Sequence, residues 1–166
     1  MLSFRFSPRR APSAAVFVPA ALGLALAAAP AAASGTISCE IDDKAVAFDA
    51  QIVFSHGLAD AFTNQRFELT LKAKGAPDDL RALELDAEAL AHHWFHGREL
   101  KLHIYHERAA GRHGAVELVI ETKQAAKADE EGAYAGRYRL EVSDLPDGAS
   151  EAKSWTFKGK VACSAG

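Results

Sequence analysis

The sequence predicts an all-β, mainly antiparallel domain, a β-sandwich or small barrel of about seven to nine strands with room for one short helix and closed by one disulfide. Three observations predict it. Apolar and polar residues alternate with period two through most of the chain after residue 34. The runs are separated by Gly, Pro and Asp clusters of the kind that make turns. The two cysteines, Cys39 and Cys163, lie near the ends of this region, each in phase with the apolar residues around it.

The elements follow in order. Ile37, Cys39 and Ile41 share one face of a first strand, and Asp42-Asp43 makes a turn. Val46, Phe48, Ala50, Ile52 and Phe54 then mark a second strand, and Phe67, Leu69 and Leu71 a third. Residues 78–95 are ambiguous. Leu83, Leu85 and Ala87 alternate like a strand, while Leu80, Leu83, Ala87, Leu90 and Trp94 fall on one helical stripe. A short strand at 81–86 followed by an irregular or helical turn to His93 is the expectation. Leu100, Leu102 and Ile104 define the next strand, Val116, Leu118 and Ile120 another, and Tyr138, Leu140 and Val142 another. Trp155, Phe157, Gly159, Val161 and Cys163 form the last. Each has the pattern of a half-buried antiparallel strand. The aromatic residues, Trp94 and Tyr105 included, are expected in the core. The polar stretch from Lys123 to Gly132 is expected to be a hairpin loop.

Residues 1–33 have the layout of a cleavable Sec-type signal peptide. Arg5, Arg9 and Arg10 precede an apolar run from Ala14 to Ala29, and Ala31-Ala32-Ala33 supplies small residues for cleavage before Ser34. The run is Ala-rich and broken by Pro19 and Gly23, whereas a spanning helix needs roughly 20 strongly apolar residues. Cys39 stands too far along for a lipoprotein. The expected location is periplasmic or secreted, from a bacterial source, with residues 34–166 as one domain and no stable membrane insertion after cleavage.

The first 33 residues carry three of the 19 Lys and Arg and none of the 22 Asp and Glu, which leaves a formal charge of −6. Nucleic acid and anionic membranes select basic surfaces, so neither is expected as a partner. In an oxidising compartment Cys39 and Cys163 read as one disulfide.

One local feature bears on chemistry. His92, His93, His96, His103 and His106 place five of the seven histidines within 15 positions, interleaved with Trp94, Phe95 and Tyr105. Imidazole is a common ligand for zinc or copper, and a hairpin turning at Gly97 brings His93 or His96 toward His103. His93, His96 and His103 are therefore the candidate metal ligands, although their spacing matches no established zinc motif. His103 and His106 are expected on opposite strand faces. No nucleophile elbow, phosphate-binding loop or dinucleotide fingerprint is present, and the carboxylate pairs Asp42-Asp43, Asp78-Asp79 and Glu130-Glu131 read as solvated turn residues. The leading expectation is a non-enzymatic binding or interaction module for a protein, a glycan or a small ligand. The alternatives are a zinc- or copper-binding protein using the His92–His106 cluster, and a carrier of a small apolar ligand.

Overall fold

The computed structural model describes residues 34–55, 61–125 and 132–166. The signal-type segment 1–33 and most of the 123–132 loop lie outside the described residues. Nine strands form one antiparallel sheet: β1 (Ser34–Asp42), β2 (Val46–Ser55), β3 (Ala61–Leu71), β4 (Ala82–Leu85), β5 (Leu90–His96), β6 (Glu99–Glu107), β7 (Gly114–Gln124), β8 (Ala133–Asp144) and β9 (Lys153–Ala165). Short 3-10 turns at Asp78–Leu80 and Ala87–Ala89 flank β4. Among the described residues no helix is long and apolar enough to cross a membrane.

The strand order is β4-β3-β2-β1-β9-β8-β7-β6-β5. The sheet is therefore two meanders, β1–β4 and β5–β9, joined where β1 pairs with β9. Its geometry follows from the connection at the other edge. A flat sheet of this size would hold its edge strands roughly 38 Å apart at the usual strand spacing. Only residues 86–89 separate β4 from β5, and that link reaches about 18 Å at most. The sheet has to curl, and the chain passes from β4, paired with β3, through the 3-10 turn into β5, paired with β6.

The inner surface holds the alternating apolar residues, from Ile37, Ile41, Phe48 and Ile52 through Phe67, Leu102, Leu118 and Ile120 to Leu140 and Val161, all buried in one cluster. The β1–β9 joint is short, pairing Ile37–Glu40 with Ala165–Ala162, and Cys39 lies directly opposite Cys163 within it. The two form the disulfide, with Cα atoms 4.0 Å apart and both residues buried. The bridge thus links neighbouring strands of one sheet rather than tying two sheets together.

Polar contacts add further ties between the meanders. Asp43 receives the Ala45 and Val46 backbone N–H groups at 2.8 and 2.9 Å, which sets the β1–β2 turn. Its other oxygen accepts the Tyr138 hydroxyl from β8. Gly159 makes that reach possible, because a Cβ there would lie 2.6 Å from the Tyr138 ring and 2.8 Å from the Asp43 carboxylate. Burial pushes the Asp43 carboxyl up, but the bonds from Tyr138, Ala45 and Val46 outweigh it and hold the group below its ordinary value. Arg108 bridges Asp79 and Asp144, the latter at 3.0 Å, and donates to the Arg112 carbonyl at 2.9 Å. Asp43 and Asp79 are thus partnered residues and not merely solvated turn positions.

Residues 78–95 resolve the ambiguity in favour of strand. β4 falls inside the expected 81–86 and a helical turn follows, but that turn ends at Ala89 and β5 begins at Leu90. The stripe through Leu90 and Trp94 is therefore not helical. A bulge between Leu90 and His92 shifts the phase of β5 and disguises its alternation.

Candidate functional site

The outer face of β5 and β6 carries Trp94 and Tyr105, the exposed large apolar side chains among the described residues. After the bulge, His92, Trp94 and His96 share the outer face, while His93 and Phe95 lie on the other face of β5, Phe95 half-buried and His93 still exposed. Phe95 packs edge-on to Phe54 at 5.2 Å and against Tyr134 at 6.1 Å, and His93 stacks on Phe62 at 4.2 Å. On β6, Leu100, Leu102 and Ile104 are buried, so Lys101, His103 and Tyr105 face outward. The hairpin joining the strands turns through Gly97 and Arg98, with Gly97 at φ 60°, a left-handed conformation suited to a two-residue loop.

Register then builds a stripe. His92 lies across from His103 and Trp94 across from Lys101. The His92 and His103 rings are 5.7 Å apart, and Trp94 meets His96 edge-on at 5.9 Å. His103 Nε2 is 2.9 Å from the Glu117 carboxylate on β7. Tyr105 extends the stripe toward the far end of β6 and donates its hydroxyl to Glu107 at 3.2 Å. Partial burial, then the bond to Glu107 and the nearby charges of Glu107 and Glu117, raise the Tyr105 phenol above its ordinary value. Trp94 is 52% exposed and Tyr105 39%, the two large apolar side chains most open to water among the described residues. A shallow groove of about 160 Å³ runs beside Trp94 between Lys101, His103, Val119 and Glu121. The expectation that both rings belong to the core is thus corrected, because the bulge and the β6 phase turn them outward.

The three candidate ligands scatter. His93 lies on the face of β5 opposite His92, exposed but stacked on Phe62, His96 stands at the hairpin end opposite Glu99, and His103 faces outward on Glu117. His92, rather than His93, is the neighbour of His103. Among the described residues no group of three or more His, Cys, Asp or Glu side chains is disposed to hold a metal ion. His106 takes the face opposite His103, within an acidic cleft bordered by Glu84, Asp86, Glu88 and Glu107.

A second groove, about 370 Å³, lies on the same outer face across β6–β9, where Tyr105 is shared with the stripe. At its rim Ser143 Oγ is 3.3 Å from His113 Nε2, and His113 Nδ1 is 3.1 Å from Glu107. The sequence carries no signal for this trio. Its members lie in β6, a loop and β8, and only the pairing of Gly114 with Asp144 and Ala115 with Ser143 brings them together. Compared with known protein families, curated proteins and solved structures, the chain matches none.

Proposed function

We propose that the chain is an exported binding module, acting in the periplasm or outside the cell of a bacterium, that docks a protein partner on the outer face of β5–β7. The exposure of Trp94 at the centre of a stripe of rings carries this reading. Leaving an indole in water forgoes the stabilisation that burying it would bring. Trp and Tyr are also the residues that most often anchor protein interfaces, as amphipathic rings that lose little entropy on contact. Lys101, His103 and Glu117 around the rings supply hydrogen-bonding groups for a polar rim. The signal-type sequence of residues 1–33 and the disulfide support export, since such bridges persist in oxidising compartments.

Site-directed photo-crosslinking in intact cells tests the reading. A photoreactive residue at His96, beside Trp94, should give a discrete cross-linked product, while one at Lys158 on β9 should not. Trp94→Ala should abolish the product from position 96. Equal products from both positions, or a product insensitive to Trp94→Ala, would count against the stripe as the docking face.

A further inference from the structure

The trio at the rim of the second groove has the connectivity of an acyl-transfer relay. Glu107 accepts from His113 Nδ1 at 3.1 Å, which leaves Nε2 with its lone pair toward Ser143 Oγ at 3.3 Å. The second Glu107 oxygen is held by the Tyr105 hydroxyl at 3.2 Å. The bond from His113, then that from Tyr105, keep the Glu107 carboxyl below its ordinary value, so it stays an anion facing the imidazole. The loop bearing His113 is fixed on both sides. Leu145 N–H donates to the His113 carbonyl at 2.8 Å, and Arg108 joins the Arg112 carbonyl to the Asp144 carboxylate next to Ser143. These bonds fix the backbone that carries the imidazole and the hydroxyl, while the side chains themselves stand open to water, His113 46% and Glu107 53% exposed.

The groove beside them is open and polar, bordered by Tyr105, Glu117, Glu141, Ser154 and Thr156. Ser154 stands directly across from Ser143 in the β8–β9 register, which puts its side chain on the same face. Glu117 and Glu141 repel anionic substrates. We infer that Ser143, His113 and Glu107 hydrolyse small esters of neutral or cationic alcohols, an activity beyond the binding reading and independent of it. Ser143 Oγ bonds to the acyl carbon as its proton passes to His113 Nε2. The carbon–oxygen bond to the alcohol breaks, and the alcohol leaves with that proton. Water then attacks the acyl-Ser143 ester and gives a proton to His113. The acyl–Oγ bond breaks, Ser143 recovers the proton, and the carboxylic acid departs. The Ser154 hydroxyl is the donor placed by register for the oxyanion. One hydroxyl in open water stabilises less than two fixed backbone N–H groups, so turnover is slow.

The test uses the disulfide-intact protein with a fluorophosphonate probe and, in parallel, p-nitrophenyl acetate. A single adduct mapped to Ser143 is expected. Ser143→Ala and His113→Gln should each remove that adduct and lower ester turnover by at least about tenfold, with the far-UV spectrum unchanged. Glu107→Gln should slow labelling less. An adduct on other serines, an adduct on Ser143 that persists in His113→Gln, or turnover unchanged in Ser143→Ala would show a surface hydrogen-bond chain only and overturn the assignment.

Discussion

The two meanders share one inner surface but differ in what they set out in water. Across the first, Glu40, Asp49, Glu68 and Glu84 stand in direct register on β1, β2, β3 and β4, all exposed. Arg66 pairs with Glu68 at 2.9 Å, but the row still sets like charges opposite one another. Across the second, the β5–β6 hairpin sets out Trp94, Tyr105, His92 and His103. A face that serves only solvation needs charge and no rings. Exposed rings are the costlier choice in water, and among the described residues the two most exposed large apolar ones, Trp94 and Tyr105, both lie in the second meander, the observation behind the proposed docking face.

The largest expected effect comes from cutting the joint between the meanders. The Cys39–Cys163 loop spans 124 residues, for which the chain-entropy model gives about 4 to 5 kcal/mol. The Cys39→Ala/Cys163→Ala double variant should lose about that much in urea unfolding, since only four residue pairs remain at the β1–β9 joint. Next is Phe95→Ala. Phe95 reaches across the unpaired side of β5 to Phe54 and Phe62 of the first meander, and its half-buried ring should cost about 2 to 3 kcal/mol. Trp94→Ala, one residue away and facing outward, should change stability by less than about 0.5 kcal/mol. Smallest, and opposite in sign, is Asp49→Asn. Removing one charge from the carboxylate row should stabilise by a few tenths of a kcal/mol, an effect that fades in high salt.

Acid should act on the ties rather than the rings. Asp43 and Asp79 both hold their protons less tightly when folded. Burial opposes this at Asp43 but is outweighed by Tyr138 and the turn N–H groups, and Arg108 causes it at Asp79. A carboxyl depressed on folding stabilises the native state above its unfolded pKa of about 3.9 and loses that contribution as pH falls through the folded value. Unfolding midpoints should therefore drop below about pH 4 with these two groups contributing, and Asp79→Asn should reduce that drop.

The inner face of this fold was readable because period-two alternation is a local signal. Cys39 and Cys163 each showed their inward phase among their own neighbours, and the disulfide followed. Pairing is non-local, and there legibility ended. One extra residue between Leu90 and His92 shifted the phase of β5, so Trp94 read as core, and His93 or His96 rather than His92 was expected beside His103. Leu90 and Trp94 likewise passed for the end of a helical stripe. The Glu107–His113–Ser143 trio depends on the β7–β8 register and leaves no trace in spacing. Asp43 looked like a solvated turn because its partner, Tyr138, is 95 positions away.

The outward turn of Trp94 is the claim on which the comparison of the meanders rests, and single-tryptophan fluorescence of folded Trp155→Phe tests it most directly. Emission typical of an indole in water is expected, with acrylamide quenching close to that of free tryptophan. Blue-shifted emission shielded from acrylamide would place Trp94 in the interior and contradict the ring-bearing face.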